Sequence, residues 1–154
     1  MSSASLFEEI RADGELLAII VSHRYEKPGV SFFTSGELSQ QLAYMRHPAG
    51  KIIDAHVHNP VTREVRLTQE TLLIKRGKLR VDFFDAQRGY RESRILAAGD
   101  VILLVAGGHG FEVLEELEMF EVKQGPYAGD HDKTRFDGVL PAQLRFGAGE
   151  GADR

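Results

Sequence analysis

Short segments of alternating or continuous apolar residues, separated by Gly, Pro, Asn and Asp, run through most of the chain. The clearest is 79–85, in which Leu79, Val81 and Phe83 fall on one face and the residues between them fall on the other. Leu6 to Arg11 is compatible with a short helix. About ten short strands at regular spacing predict an all-β fold, built as an antiparallel barrel or sandwich.

Turn residues such as Pro28-Gly29, Asn59-Pro60 and Arg76-Gly77-Lys78 end the predicted strands. Segment 38–46 also fits a short helix, but its alternation favours a strand. The acidic run after Gly110 is interpreted as a solvated hairpin. In chain order, the predicted strands are 15–25, 30–34, 38–46, 51–58, 65–75, 79–85, 90–96, 101–105, 110–114 and 118–124.

The length of 154 residues fits one domain. We expect an N-terminal segment at 1–14, a β-barrel at 15–128 and a C-terminal extension at 129–154 that is partly flexible. The last residues, FGAGEGADR, have the composition of a frayed tail.

The composition, with 42% hydrophobic and 27% charged residues, is that of an ordinary globular protein. The net charge is −4 and the basic residues are scattered, so no nucleic-acid partner is expected. No apolar run approaches the ~20 residues that cross a bilayer, and the first residues lack a secretory pattern, so no membrane partner is expected. The absence of cysteine excludes disulfides and thiolate metal sites and fits a cytoplasmic protein.

Three histidines and a glutamate form the candidate chemistry of the chain. His56 and His58 lie two residues apart in a predicted strand, so both imidazoles share one face. Glu70 lies in the next predicted strand, and His109 follows a pair of glycines. Imidazole and carboxylate together suit a divalent ion such as Fe, Mn, Ni or Zn. The remaining histidines, His23, His47 and His131, are expected to be ordinary polar residues.

The spacing of these residues resembles the two motifs of the cupin superfamily. The first motif is matched by Gly50, five residues, His56-Val57-His58, and later by Glu70, six residues and Gly77. The second is matched by the run from Gly99 to His109. The resemblance implies a jelly-roll barrel of antiparallel strands that holds one divalent metal with His56, His58, Glu70 and His109.

The chain departs from the cupin pattern in two places. Eleven residues separate His58 from Glu70, where three or four are usual, and Glu64 lies inside this gap. The spacing to Gly77 favours Glu70 as the carboxylate ligand, with Glu64 pairing to Arg63 or Arg66 or reaching the substrate. In the second motif, the proline usual before the last histidine is missing.

A finer resemblance implies a functional context. The stretches from Leu67 to Asp85 and from Ser93 to Phe136 look like small cupins encoded among polysaccharide and nucleotide-sugar genes. This resemblance supports the fold and implies a link to polysaccharide biosynthesis, but it does not define the reaction. From the metal site we expect an enzyme, either a metal-dependent oxygenase or an isomerase, that acts on a small polar molecule such as a sugar derivative. Glu64 or Tyr44 would be its general base.

Two alternatives stay open at this stage. A binding or sensing cupin would use the same pocket without turnover. A metal-free sugar isomerase or epimerase would use the histidines as acid and base. We also predict a homodimer, because the apolar strand from Glu15 to Tyr25 is expected to form an exposed sheet edge.

Overall fold

The computed structural model describes residues 6–147, which form eight β-strands and two short 3-10 helices. The all-β prediction is therefore confirmed. The strands are β1 (Phe7–Ala12), β2 (Glu15–Val21), β3 (Gly29–Phe32), β4 (Ala43–Arg46), β5 (Glu70–Phe84), β6 (Tyr90–Ala97), β7 (Val101–Leu104) and β8 (Gly108–Lys123). The 3-10 helices are Gly129–Asp132 and Pro141–Gln143.

Six of the strands form one antiparallel sheet that curls into a half-barrel. The order is β1-β2-β7-β5-β6, and β8 pairs with the other side of β5 over its whole length. Residues Glu70 to Leu73 of β5 pair with β7, and Lys78 to Phe84 pair with β6. The long β5–β8 ribbon therefore connects both parts of the sheet. Strands β3 and β4 form a separate two-stranded sheet.

A sharp bend divides the β5–β8 ribbon at Arg76 to Lys78, where the pairing register shifts. Gly77 has a φ of 89°, and a Cβ atom there would lie 2.1 Å from the Glu116 carbonyl oxygen. Only glycine fits this close approach of two backbones. The turn predicted at Arg76-Gly77-Lys78 and the hairpin predicted in the acidic run are both wrong, because each is a bend within one continuous strand.

The main core lies on the inner face of the half-barrel. Leu79, Val81 and Phe83 are at most 1% exposed, as their alternation predicted. A second cluster lies on the outer face of β2 and β7, where Ile19 and Leu103 pack under residues from the β3–β4 region. The inner cluster contains Ile10, Leu17, Ile20, Leu72, Ile74, Leu79, Val81, Phe83, Leu96, Ile102 and Leu104.

The N-terminal residues differ from the sequence prediction in two ways. The short helix over Leu6 to Arg11 is wrong, because the segment is strand β1 and buries Ile10 and Ala12 with period two. Strand β2 lies between β1 and β7. The exposed edge on which the dimer prediction rested is therefore absent, and dimerisation needs another basis.

Residues 47–68, here called the arm, contain no strand and are all exposed. The strand predicted at 51–58 is therefore not formed in the single chain, and the one predicted at 65–75 begins only at Glu70. The arm's only backbone hydrogen bond to a described residue is internal, from the Lys51 N–H to the Pro48 carbonyl at 3.3 Å.

The C-terminal segment 129–147 packs back onto the half-barrel. The Phe136 ring lies edge-on to Phe84 at 5.0 Å, and the Ser93 N–H donates to the Arg145 carbonyl at 2.8 Å. Most of the predicted frayed tail, 148–154, lies outside the described residues. Within residues 6–147, no helix has the length and apolar character needed to cross a bilayer.

Candidate functional site

Glu70 and His109 meet on the inner face of the half-barrel. Glu70 begins β5 opposite Leu104, and His109 lies at the start of β8 opposite Phe83. A flat strand would hold Phe83 roughly 40 Å from Glu70. The bend at Gly77 folds the ribbon so that His109 Nε2 lies 3.3 Å from Glu70 Oε2. The fold therefore brings together two residues far apart in the sequence, as the motif interpretation requires.

The carboxyl group of Glu70 is held in its charged form. Its pKa is lowered mainly by the hydrogen-bonding contact with the His109 imidazole, and burial acts in the opposite direction. The charges of His109, Lys123 and Lys133 lower the pKa further. At 3.3 Å between Nε2 and Oε2, the contact is longer than a typical hydrogen bond. The pair leaves the carboxylate able to accept a further ligand.

A cavity of about 750 Å³ opens beside this pair. One side is formed by Phe84 and by the Val105–Gly110 bend, and the other by the C-terminal segment. The end of the arm also contributes, and the Thr68 hydroxyl donates to Asp132 across the opening. The C-terminal lining residues are Ala128, His131, Asp132, Lys133, Thr134, Arg135, Phe136 and Gly138.

The charge of the cavity wall favours an anion. Neither Lys133 nor Arg135 forms an ion pair with any residue of the described range 6–147. Their only acidic neighbours in the lining are Glu70, which is paired with His109, and Asp132, which accepts from Thr68. The side chains of Lys133 and Arg135 are thus available to contact a negatively charged group.

The contribution of the C-terminal segment to the cavity was not predicted from the sequence. His131 was expected to be an ordinary polar residue, yet it lines the cavity with Lys133 and Arg135. The segment has no periodic pattern, so nothing in it predicts which surface it covers. The run of charged and histidine residues from Asp130 to Arg135 was the available signal. His23 matches its prediction, because its Nδ1 lies 2.9 Å from Asp100 Oδ1.

His56 and His58 lie on the arm, apart from Glu70 and His109. Their rings are 5.2 Å apart, close enough to share one ion, and His56 Nδ1 lies 2.9 Å from the Asp54 carbonyl. Over residues 6–147, no group of three or more His, Cys, Asp or Glu side chains is close enough to hold a metal. The four predicted ligands are therefore present as two pairs on separate surfaces.

The predicted general bases lie outside the cavity lining. Glu64 is exposed on the arm and accepts from the Arg66 guanidinium at 2.9 Å, so the predicted pairing with Arg66 is confirmed. Tyr44 lies on β4 with its ring edge-on to Tyr25 at 5.1 Å. Tyr25 belongs to the cluster on the outer face of the sheet, whereas Glu70 faces inward.

The buried Gln69 fixes the point where the arm rejoins the sheet. Its Oε1 accepts from the Ser39 hydroxyl and the Gln40 N–H, both at 3.0 Å. The Gln40 side chain in turn donates to the Gln69 carbonyl and accepts from Thr71. Gln69 and Thr71 are thus held by hydrogen bonds to residues 39–40, and Glu70 between them faces the cavity.

Comparison with known proteins gives no relative: no protein-family model, no curated protein and no solved structure matches the chain. The resemblance to cupins therefore rests on the motif residues.

Proposed function

We propose that this chain is a cupin whose half-barrel belongs to a jelly roll, and that it binds one divalent metal and acts on a small polar substrate. The observation that carries the proposal is the contact of Glu70 with His109 at the cavity wall. These two residues occupy motif positions in different halves of the sequence. A barrel that served only as a scaffold would have no need to place a charged carboxylate and an imidazole together inside a cavity.

The donor set fits a borderline or hard divalent ion such as Fe, Mn, Ni or Zn. Glu70 and His109 would hold the ion from the cavity wall, and His56 and His58 would complete the set. The bound ion would act as a Lewis acid toward a carbonyl or hydroxyl of the substrate. The chain's own contribution would be to hold the Glu70 carboxylate charged and to line the cavity with the C-terminal segment.

The substrate that suits the cavity carries a negative group. Lys133 and Arg135 would bind a carboxylate or phosphate, while the metal side would face the reacting part of the molecule. A phosphorylated or carboxylated sugar derivative has this chemistry. The expected substrate class, a sugar derivative, is thus narrowed to one that carries a negatively charged group.

Metal-free proton transfer is the second candidate function, and the same contact favours it. A carboxylate beside an imidazole forms an acid–base pair that needs no ion. In that case His109 would exchange a proton with the substrate. Glu70 would orient the imidazole ring and stabilise its protonated form.

Metal analysis of protein prepared without a histidine tag separates the two candidates. The metal proposal predicts close to one divalent ion per chain, and removal by chelator should lower the thermal midpoint because the ion binds only the folded state. A protein that contains no metal and whose melting is unaffected by added Fe, Mn, Ni or Zn would leave only the acid–base candidate.

A further inference from the structure

The arm carries a strand-like pattern without a strand partner. Between Ile53 and His58, apolar Ile53, Ala55 and Val57 alternate with polar residues that include both histidines. Such alternation is typical of a strand, yet the arm contains no strand and Val57 is 83% exposed. Loops of this length without secondary structure are uncommon in compact domains and are usually functional or disordered. The pattern indicates a missing neighbour.

Strand β8 has an edge that lacks a neighbouring strand. It is sixteen residues long, and within the described range 6–147 it pairs only with β5, so its second edge is unpaired. Long free edges readily accept a further strand. The inner face of β8 is open as well: Phe111 and Val113 are exposed, although their partners Val81 and Leu79 are fully buried.

The open part of β8 lies next to the incomplete metal set. Phe111 follows His109 by two residues, so both side chains point to the inner face. A strand added along this edge would place its inward side chains about 5 Å from those of β8. Inward-facing His56 and His58 on that strand would then approach His109 and Glu70.

A second copy of the chain is the occupant that fits. The arm begins after β4, in the separate two-stranded sheet, and ends at Gln69, whose carbonyl accepts from the Gln124 N–H just past the end of β8. In the single chain the arm forms no backbone hydrogen bond to β8. Two copies related by a two-fold axis would each satisfy the other's edge. The arm and β8 together supply more than the roughly 20–30 residues a side of a standard interface.

We propose that two copies exchange arms: the arm of each copy adds to the free edge of β8 of the other, and places its His56 and His58 beside the partner copy's Glu70 and His109. Each metal site is then built from both chains and is incomplete in one alone. The metal part of this inference rests on the proposed function, whereas the arm exchange does not.

Complementation between two variants that each lack half of the proposed metal ligands tests the shared site. The arm variant carries His56→Ala and His58→Ala, and the pocket variant carries Glu70→Ala and His109→Ala. The two are produced together with different non-histidine affinity tags, and the heterodimer is purified through both tags. Exchange predicts one intact site per heterodimer, so the heterodimer should bind half the wild-type amount of Mn²⁺ or Zn²⁺ at wild-type affinity. If the heterodimer binds none while the wild type does, the site lies within one chain and the proposal is wrong.

Cross-linking tests the arm exchange without any metal. The chain has no cysteine, so Asp54→Cys on the arm and Phe111→Cys on β8 create a unique pair. A short bis-maleimide reagent should give mainly a covalent dimer on a denaturing gel. The control pair, Asp54→Cys with Glu9→Cys on the opposite edge strand β1, should cross-link at least tenfold less. A cross-link confined to monomers, or a monomeric wild type in light scattering, would overturn the exchange. A cross-linked dimer together with a wild-type protein that binds no metal would instead reject the proposed function and keep the exchange.

Discussion

Glu70 differs from Glu64 in every property that a buried ligand needs. Glu70 is buried, points to the inner face and has a lowered pKa. Glu64 is exposed on the arm and already engages Arg66. Charge-assisted pairs of this exposed kind contribute little free energy, and they leave the carboxylate free to exchange partners. The local environment therefore selects Glu70 from the two acidic residues that follow the histidine pair.

Substitution of each glutamate tests this assignment. Glu70→Ala should weaken binding of Mn²⁺ or Zn²⁺ at least tenfold, equivalent to about 1.4 kcal/mol or more, because one anionic ligand is removed. Glu64→Ala should leave metal affinity within about twofold of the wild type, well under 1 kcal/mol. Isothermal titration of the two variants measures both constants. The reverse order of effects would move the carboxylate ligand into the arm.

Asp85 gives a pH dependence that is independent of the candidate site. Its pKa is lowered mainly by the hydrogen bond from the Gly89 N–H, with further contributions from the Gln87 N–H and Arg91, while desolvation raises it. A depressed folded pKa stabilises the protein above the unfolded value of about 4. That stabilisation is lost as the pH falls through the folded pKa.

Asp85→Asn should therefore lower the thermal midpoint at pH 7, and the difference from the wild type should shrink as the pH falls below about 4. Asp137→Asn is the matched control, because Asp137 is exposed and forms no hydrogen bond or ion pair within residues 6–147. Melting curves at several pH values provide the measurement. A difference that stays constant down to pH 2 would show that the carboxylate charge does not stabilise this turn.

At the scale of the elements, the bent β5–β8 ribbon creates the site. Its two limbs are held by ion pairs between basic residues of β5 and acidic residues of β8, such as Lys78 with Glu115 at 2.8 Å and Arg76 with Glu116 at 2.7 Å. The acidic run was predicted to be a hairpin because its residues alone do not show that they pair with a distant basic segment. The opposing basic residues lie some forty positions earlier in the chain.

Gly77→Ala tests the bend. The added methyl group would meet the Glu116 carbonyl, and alanine disfavours a φ of 89°, so we expect a loss of about 1–3 kcal/mol in the free energy of unfolding. Gly36→Ala is the control, since a methyl group there would meet no atom within 4 Å and the φ of Gly36 is not positive. Urea unfolding compares the two. Equal stabilities for both variants would mean that the bend tolerates a side chain.

Some elements could be predicted from the sequence because their pattern is local. The apolar face of residues 79–83 is buried as expected. Leu6 to Arg11 fits both helical and strand periods and was assigned to the wrong one. Glu70 and His109 were found through their spacing. The cationic wall of the cavity was not, because a segment without periodicity carries no signal of the surface on which it packs.

At the scale of the whole molecule, the single chain does not bring the four predicted ligands together. One half of the predicted ligand set lies on the arm and the other lies on the wall of the half-barrel. Sequence patterns identify a strand that needs a neighbour but do not say which chain supplies it. The homodimer predicted from β2 is thus proposed again on a different surface, with β8 and the arm in place of the N-terminal strands.

A shared site couples metal binding to dimerisation. If ligands come from both chains, the ion binds the dimer more tightly than the monomer, and by linkage it must strengthen the dimer by the same factor. Sedimentation at decreasing protein concentration should show the metal-free protein dissociating at a concentration at least tenfold higher than the Zn²⁺-loaded protein. Identical dissociation constants in the two states would show that the site does not span the interface.

The most direct test of a cupin site made of three histidines and Glu70 is X-ray absorption spectroscopy at the absorption edge of the bound metal. The extended fine structure distinguishes imidazole ligands by their multiple scattering and counts them. We predict three imidazoles and at least one carboxylate oxygen on the ion in the wild type, two imidazoles in His109→Ala, and an unchanged spectrum in His47→Ala. A spectrum without imidazole ligands, or one that His109→Ala leaves unaltered, would contradict the account.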